Sequence, residues 1–220
     1  MSADHPNYPK SFVRAILAGM AISIGCCVYL GVWGFNPDNR WVGAVLFSIG
    51  LFTVFTFGLD LYTGKVGYLF DNKPQYLIYL LVVIFGNFVG CVICGYMIDA
   101  DTLANSSCVI LHNMVDGKLA DPDWFKVFCR GVFCGMLMFI AADYYKVHKK
   151  YLAAILCVPV FILAGFEHSI ADMFYFCSAG VYSLDALLFI IVVALGNLVG
   201  GVIIPVCRKW MVEDQPSPAQ

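Results

Sequence analysis

The sequence predicts an all-α integral membrane protein of six spans, arranged as two inverted three-span repeats whose second and fifth spans are broken. Three observations carry this prediction. The 220 residues are 61% hydrophobic and only 13% charged, against about 25% charged in a soluble domain. Apolar runs of bilayer-crossing length recur along the chain, and two are interrupted by polar clusters. Short motifs recur at matched places in the two halves.

The elements follow in order. Run one is Ala15–Phe35, ended by Asn36-Pro37-Asp38-Asn39-Arg40. Run two starts at Trp41, is apolar to Leu59, meets Asp60-Leu61-Tyr62-Thr63-Gly64-Lys65 and resumes at Val66–Phe70. Asp71-Asn72-Lys73-Pro74 is a turn, and run three, Tyr76–Ile98, is uncharged. Ala100–Asp123 reads as a polar loop. Run four, Val127–Ala142, carries Arg130 near its start. Run five, Leu152–Cys177, exceeds the ~20 residues of a straight span and holds Glu167, His168 and Asp172 near its centre. Run six is Leu184–Val206. Residues 1–220 are read as one transmembrane domain with polar tails at 1–10 and 208–220. The head Met1–Lys10 leads directly into a full-length apolar run, so no separable signal peptide is expected.

Irregular backbone at membrane depth survives only where it is buried in protein or lines a wet cavity. Two interrupted spans in matching positions therefore point to a central passage. The matching extends to side chains. Phe12, Arg14, Gly19 and Met20 recur at the same spacings as Phe128, Arg130, Gly135 and Met136, and Gly86-Asn87-Phe88-Val89-Gly90 recurs as Gly196-Asn197-Leu198-Val199-Gly200. Because three spans are an odd number, the second copy (about 128–206) must enter from the side opposite the first (about 12–98). Broken spans in inverted repeats are a transporter and channel signature.

With the amino terminus inside, the cytoplasmic ends hold Lys10, Arg14, Lys73, Lys146, Lys149, Lys150, Arg208 and Lys209, against Arg40, Lys118, Lys126 and Arg130 outside. This bias predicts a multi-pass protein of the plasma or inner membrane with both termini cytoplasmic. The net charge of −2 and the lack of a basic cluster argue against nucleic acid as a partner. No nucleophile–base set or cofactor loop suggests an enzyme, and no cofactor or metal is expected. Cys91 and Cys94 have the spacing of a redox or metal pair, but nothing nearby completes a site, and small packing residues are the commoner reading.

The segment Leu59-Asp60-Leu61-Tyr62-Thr63-Gly64, followed by Gly165-Phe166-Glu167-His168-Ser169-Ile170-Ala171-Asp172-Met173-Phe174, resembles the two signature segments of the formate/nitrite transporter family. The paired Gly-Asn-x-Val-Gly segments fit as well, and the resemblance covers nearly everything from Phe12 to Val206. It implies a homopentamer of aquaporin-like protomers, each with its own pore for small monovalent anions of weak acids: formate, nitrite, hydrosulfide and, in some members, acetate or lactate. His168 matches the family's central histidine and Thr63 the threonine on the loop interrupting the second span. Counted back without gaps, Phe47 and Leu51 fall at an inner constriction with Phe161, and Leu61 and Tyr62 at an outer one.

The physics supports such an arrangement. A bare anion in an apolar constriction has a large desolvation cost that the neutral acid escapes, and an imidazole can attract the anion or lend it a proton near neutral pH. Glu167 is expected to hold the imidazole's other nitrogen or to anchor the break, and Thr63 to bond substrate or to cap a half-helix. Asp60, Lys65, Asn87, Asp172 and Asn197 are expected to support the breaks, Lys65 by pairing with Asp60 or Asp172. The family usually has Asn where Asp172 stands, and another Asn where this chain is read to have Gly135. A neutral-solute pore of the same fold and, from another class, a cysteine-based membrane redox protein are the alternative readings.

Overall fold

The computed structural model describes residues 7–99 and 102–213. They form helices with no strand among them: α1 Tyr8–Phe35, α2 Arg40–Leu46, α3 Ser48–Thr56, α4 Tyr62–Lys65, α5 Tyr76–Met97, α6 Asn105–Leu119, α7 Trp124–His148, α8 Leu152–Leu163, α9 Ser169–Ser178 and α10 Leu184–Glu213. Short 3-10 turns at Pro37–Asn39 and Val66–Asp71 flank the second run. Among the described residues five stretches are long and apolar enough to cross a membrane: α1, Pro37–Thr56, α5, α7 and most of α10. The fifth sequence run divides into α8 and α9, neither long enough alone.

The two runs break in the same way. Gly58 and Gly165 adopt φ of +60° and +71°, a left-handed conformation that costs an L side chain about 1–2 kcal/mol. Each glycine reverses the chain after a helix closed by the same pair of backbone bonds. Gly58 and Leu59 N–H donate to Phe55 and Val54, and Gly165 and Phe166 N–H donate to Ile162 and Phe161. A short extended stretch then leads into the next half-helix, α4 or α9.

The freed peptide groups are taken up by two asparagines. Asn87 on α5 accepts from Tyr62 N–H (2.9 Å) and donates through Nδ2 to the carbonyls of Asp60 (2.9 Å) and Ala15 (2.7 Å). Asn197 on α10 accepts from Ser169 N–H (3.0 Å) and donates to the carbonyls of Glu167 (2.9 Å) and Gly131 (2.9 Å). Both asparagines are fully buried. Such close approach needs glycine opposite: a Cβ at Gly19 would overlap the Asn87 carbonyl oxygen, and one at Gly135 the Asn197 carbonyl oxygen. An asparagine at position 135 therefore has no room, whatever family position it matches. α1 packs along α5 and α7 along α10 through these contacts.

Two expectations are corrected here. Residues 105–119, expected as loop, form α6, because Ser107, Leu111 and Val115 recur at helical spacing and turn inward together. The tail expected from Arg208 continues α10 to Glu213, tied by Arg208 to Asp143 (2.8 Å) and by Lys209 to Asp71 (2.6 Å). The outer parts of the expected tails, residues 1–6 and 214–220, and loop residues 100 and 101 lie outside the described residues.

Candidate functional site

The tips of α4 and α9 meet inside the molecule. Thr63 and His168, both buried, lie 3.0 Å apart through Oγ1 and Nε2. His168 also caps its own half-helix, its Nδ1 accepting from Ala171 N–H at 3.2 Å. With Nδ1 accepting, a neutral ring carries its proton on Nε2, which donates to Thr63. The Thr63 hydroxyl hydrogen is then free to donate elsewhere. The capping residue of α4 is Leu61, with no side-chain bond; Thr63 does not cap.

A cavity of about 350 Å³ opens on one side of this pair, where α1 ends, lined by Tyr29, Trp33, Arg40, Lys118 and Arg130 and reaching down to Phe47, Phe161, Glu167, His168 and Asp172. Arg40 is fixed at its mouth by donating to Tyr29 Oη (2.6 Å) and lying over the Trp33 ring (4.4 Å). On the other side, where α7 ends, a cavity of about 190 Å³ is lined by Leu61 and Gly64 and by Lys65, Lys146 and Lys149. Thr63 and His168 thus sit between two vestibules, each with basic side chains.

The apolar residues expected at constrictions are all buried. Phe47, at the junction of α2 and α3, packs edge-on against Phe161 (6.0 Å between centroids), and Phe161 stacks on the His168 ring (5.6 Å). These two phenylalanines border the cavity at the end of α1, whereas Leu61 borders the one near its beginning. The expected order is therefore reversed relative to the amino terminus. The reason is chain direction: α2 starts at the face where α1 stops, so Phe47 is two turns below that face and Leu51 a turn deeper. The Tyr62 hydroxyl does not face a cavity freely; it donates to the Ala194 carbonyl at 3.2 Å.

The charged groups sort into two clusters. Asp60 meets Lys65 (3.0 Å) and Arg14 (3.5 Å). Glu167 does not reach the imidazole; it contacts Lys118 of α6, whose Nζ is also 3.1 Å from Asp172 Oδ1. Burial works to discharge the Lys118 ammonium, but Asp172 and Glu167 reverse this and hold its pKa above the ordinary lysine value. Sequence reading missed Lys118, placing it in a loop; the signal was its register, three residues after Val115 on the inward stripe of α6. Cys91 and Cys94 are free and buried, and the Cys91 thiol donates to the Ile170 carbonyl (3.3 Å), a packing role at the base of α9.

Two broken helices meeting head to head around a buried polar pair, inside a helical membrane protein with a vestibule on each side, define a transport protein. The chain belongs to the formate/nitrite transporter family, whose model, described as "Formate/nitrite transporter", matches residues 3–211. Among curated relatives it is 26% identical to the formate channel FocA of Haemophilus influenzae, over 92% of this chain and 87% of that one. It is also 26% identical to the nitrite transporter NirC of Salmonella typhimurium, over 97% of this chain and 88% of that one. The fold is that of a solved "FNT family ion channel", with a TM-score of 0.81 at 24% identity over 96% of this chain and 92% of that one. A solved "Pentameric formate channel with formate bound" superposes with a TM-score of 0.77 at 22% identity, over 94% of this chain and 98% of that one.

Proposed function

We propose that the protein is a channel or proton-coupled carrier for small monovalent weak-acid anions such as formate or nitrite, acting as a homopentamer with one pore per protomer. In this reading each protomer is a pair of inverted three-span repeats, residues 12–98 and 128–206, in a plasma or inner membrane with both termini cytoplasmic. The names of the relatives and the pentameric fold neighbour support it. The observation that carries it is the Thr63–His168 bond between two vestibules, bordered by apolar residues on both sides.

The basic groups of either vestibule attract the anion, and desolvation at Phe47 and Phe161 or at Leu61 favours passage of its neutral acid. Between the two, the free Thr63 hydroxyl hydrogen donates to a substrate oxygen or sulfur while Nε2–H holds the hydroxyl in place. Protonation there passes through the His168–Thr63 pair. The test is flux of formate, nitrite, hydrosulfide and lactate into proteoliposomes across pH, with wild type and His168→Phe. The expected result is saturable uptake of at least one of these acids and a large loss, with altered pH dependence, in the variant. Unchanged uptake and pH dependence in His168→Phe would remove the histidine from the mechanism and favour the neutral-solute pore.

A further inference from the structure

The second break carries one carboxylate more than the lysine that serves it. Lys118 touches both Glu167 and Asp172 Oδ1, while Asp172 Oδ2 has no hydrogen-bond partner. Asp172 is 2% exposed, and its side chain borders the larger vestibule beside His168. Ionisable groups face it from several neighbouring elements. Lys118 projects from α6 and Glu167 from the break; Cys26 of α1, Cys134 of α7 and Tyr175 of α9 lie around it. Arg40 and Arg130 stand farther out on the same cavity wall.

Fully ionised, the trio of Lys118, Glu167 and Asp172 has a net charge of −1 at a point an incoming anion must pass. An orphaned buried oxygen adds its own desolvation cost. One proton on Oδ2 makes the trio neutral and lowers the cost of leaving that buried oxygen without a partner.

We propose that Asp172 is a proton-binding residue of the anion route: it takes one proton exchanged with the solvent of this vestibule, and that proton makes the Lys118–Glu167–Asp172 trio neutral where the small anion passes on its way to His168. The proton returns to the same solvent when Asp172 ionises; no other bond changes and no electron moves. The inference rests on the transport reading above, and its test separates the two.

Tracer formate exchange is measured in proteoliposomes at equal pH on both faces, from about pH 5 to about pH 8, around the range where buried carboxyls and imidazoles titrate, for wild type and Asp172→Asn. The fraction of formic acid in solution is the same for both proteins, so the ratio of their rates isolates Asp172. That ratio is expected to fall about tenfold per pH unit above the Asp172 midpoint; a flat ratio overturns the proposal. Infrared spectra of the same proteins are expected to show a protonated carboxyl that titrates in wild type and is missing in Asp172→Asn. If wild type exchanges no formate at any pH, the transport reading fails for formate, and the infrared band alone decides whether Asp172 binds a proton. If Asp172→Asn does not assemble, Lys118→Gln takes its place. Loss of the ammonium is expected to move the carboxyl's midpoint up by about one pH unit or more, and an unmoved midpoint overturns the proposal.

Discussion

At the first break Gly58 turns the chain, Asn87 holds the Asp60 carbonyl and the Tyr62 N–H, and Lys65 answers the Asp60 carboxylate from one helical turn away. At the second, Gly165, Asn197, Glu167 and Ser169 repeat the same backbone bonds, but the place corresponding to Lys65 holds Asp172. Likewise Leu61 in the first corresponds to His168 in the second. One backbone thus carries two opposite charge patterns: two cations around one carboxylate, and two carboxylates around one cation. The first break supplies a counter-ion of its own in Lys65, with Arg14 of α1 added beside it. The second needs a lysine from another element, and it sets His168 against Thr63.

The largest expected effect tests what the breaks share. Asn87→Leu or Asn197→Leu strands a peptide N–H and a carbonyl at one break, costing roughly 2–6 kcal/mol at about 1–3 kcal/mol per buried group. Thermal unfolding in detergent is expected to show similar losses for both variants. A large loss for only one would mean that the matching bonds do not bear equal weight.

What differs between the breaks is tested next. Lys118→Met leaves two buried carboxylates without their cation and is expected to cost about 3–5 kcal/mol. Lys65→Met leaves Arg14 beside Asp60, and both basic groups are partly exposed, so about 1 kcal/mol or less is expected. Thermal melts at neutral pH compare the two; equal losses would erase the distinction between a break with its own counter-ion and one that borrows it.

The smallest effect concerns the starts of α1 and α7. Asn7 accepts from Lys10 N–H at 3.1 Å, and Asp123 accepts from Lys126 N–H at 3.1 Å. Only the second cap titrates. Hydrogen bonds from the Lys126 side chain and backbone hold the Asp123 carboxyl below its usual value. Its contribution is therefore present above the unfolded value and lost as pH falls through the lower folded one. Amide exchange is expected to show the first turn of α7 loosening below about pH 4 while that of α1 does not.

Much of this was legible in the sequence because it is written in local signals. Hydrophobic run length marked the helices, a polar cluster inside a long apolar run marked each break, and the repeated Gly-Asn pair marked the residues that hold them. What escaped depended on contacts between distant segments. Lys118 finds Glu167 49 residues away, and Asp172 beyond it, through a helix whose inward stripe is only three residues long before it. Glu167 turns to that lysine instead of the adjacent histidine, because the ring's second nitrogen is already taken by Ala171. The order of the apolar residues followed from where α2 starts, which counting back from the break does not reveal.

The placement of α6 has a mechanical consequence. α6 stands between α5 and α7 in the chain, and through Lys118 it is clamped onto the second break. A displacement of α6 is therefore expected to reach Glu167 and Asp172 as a change in the charge they feel.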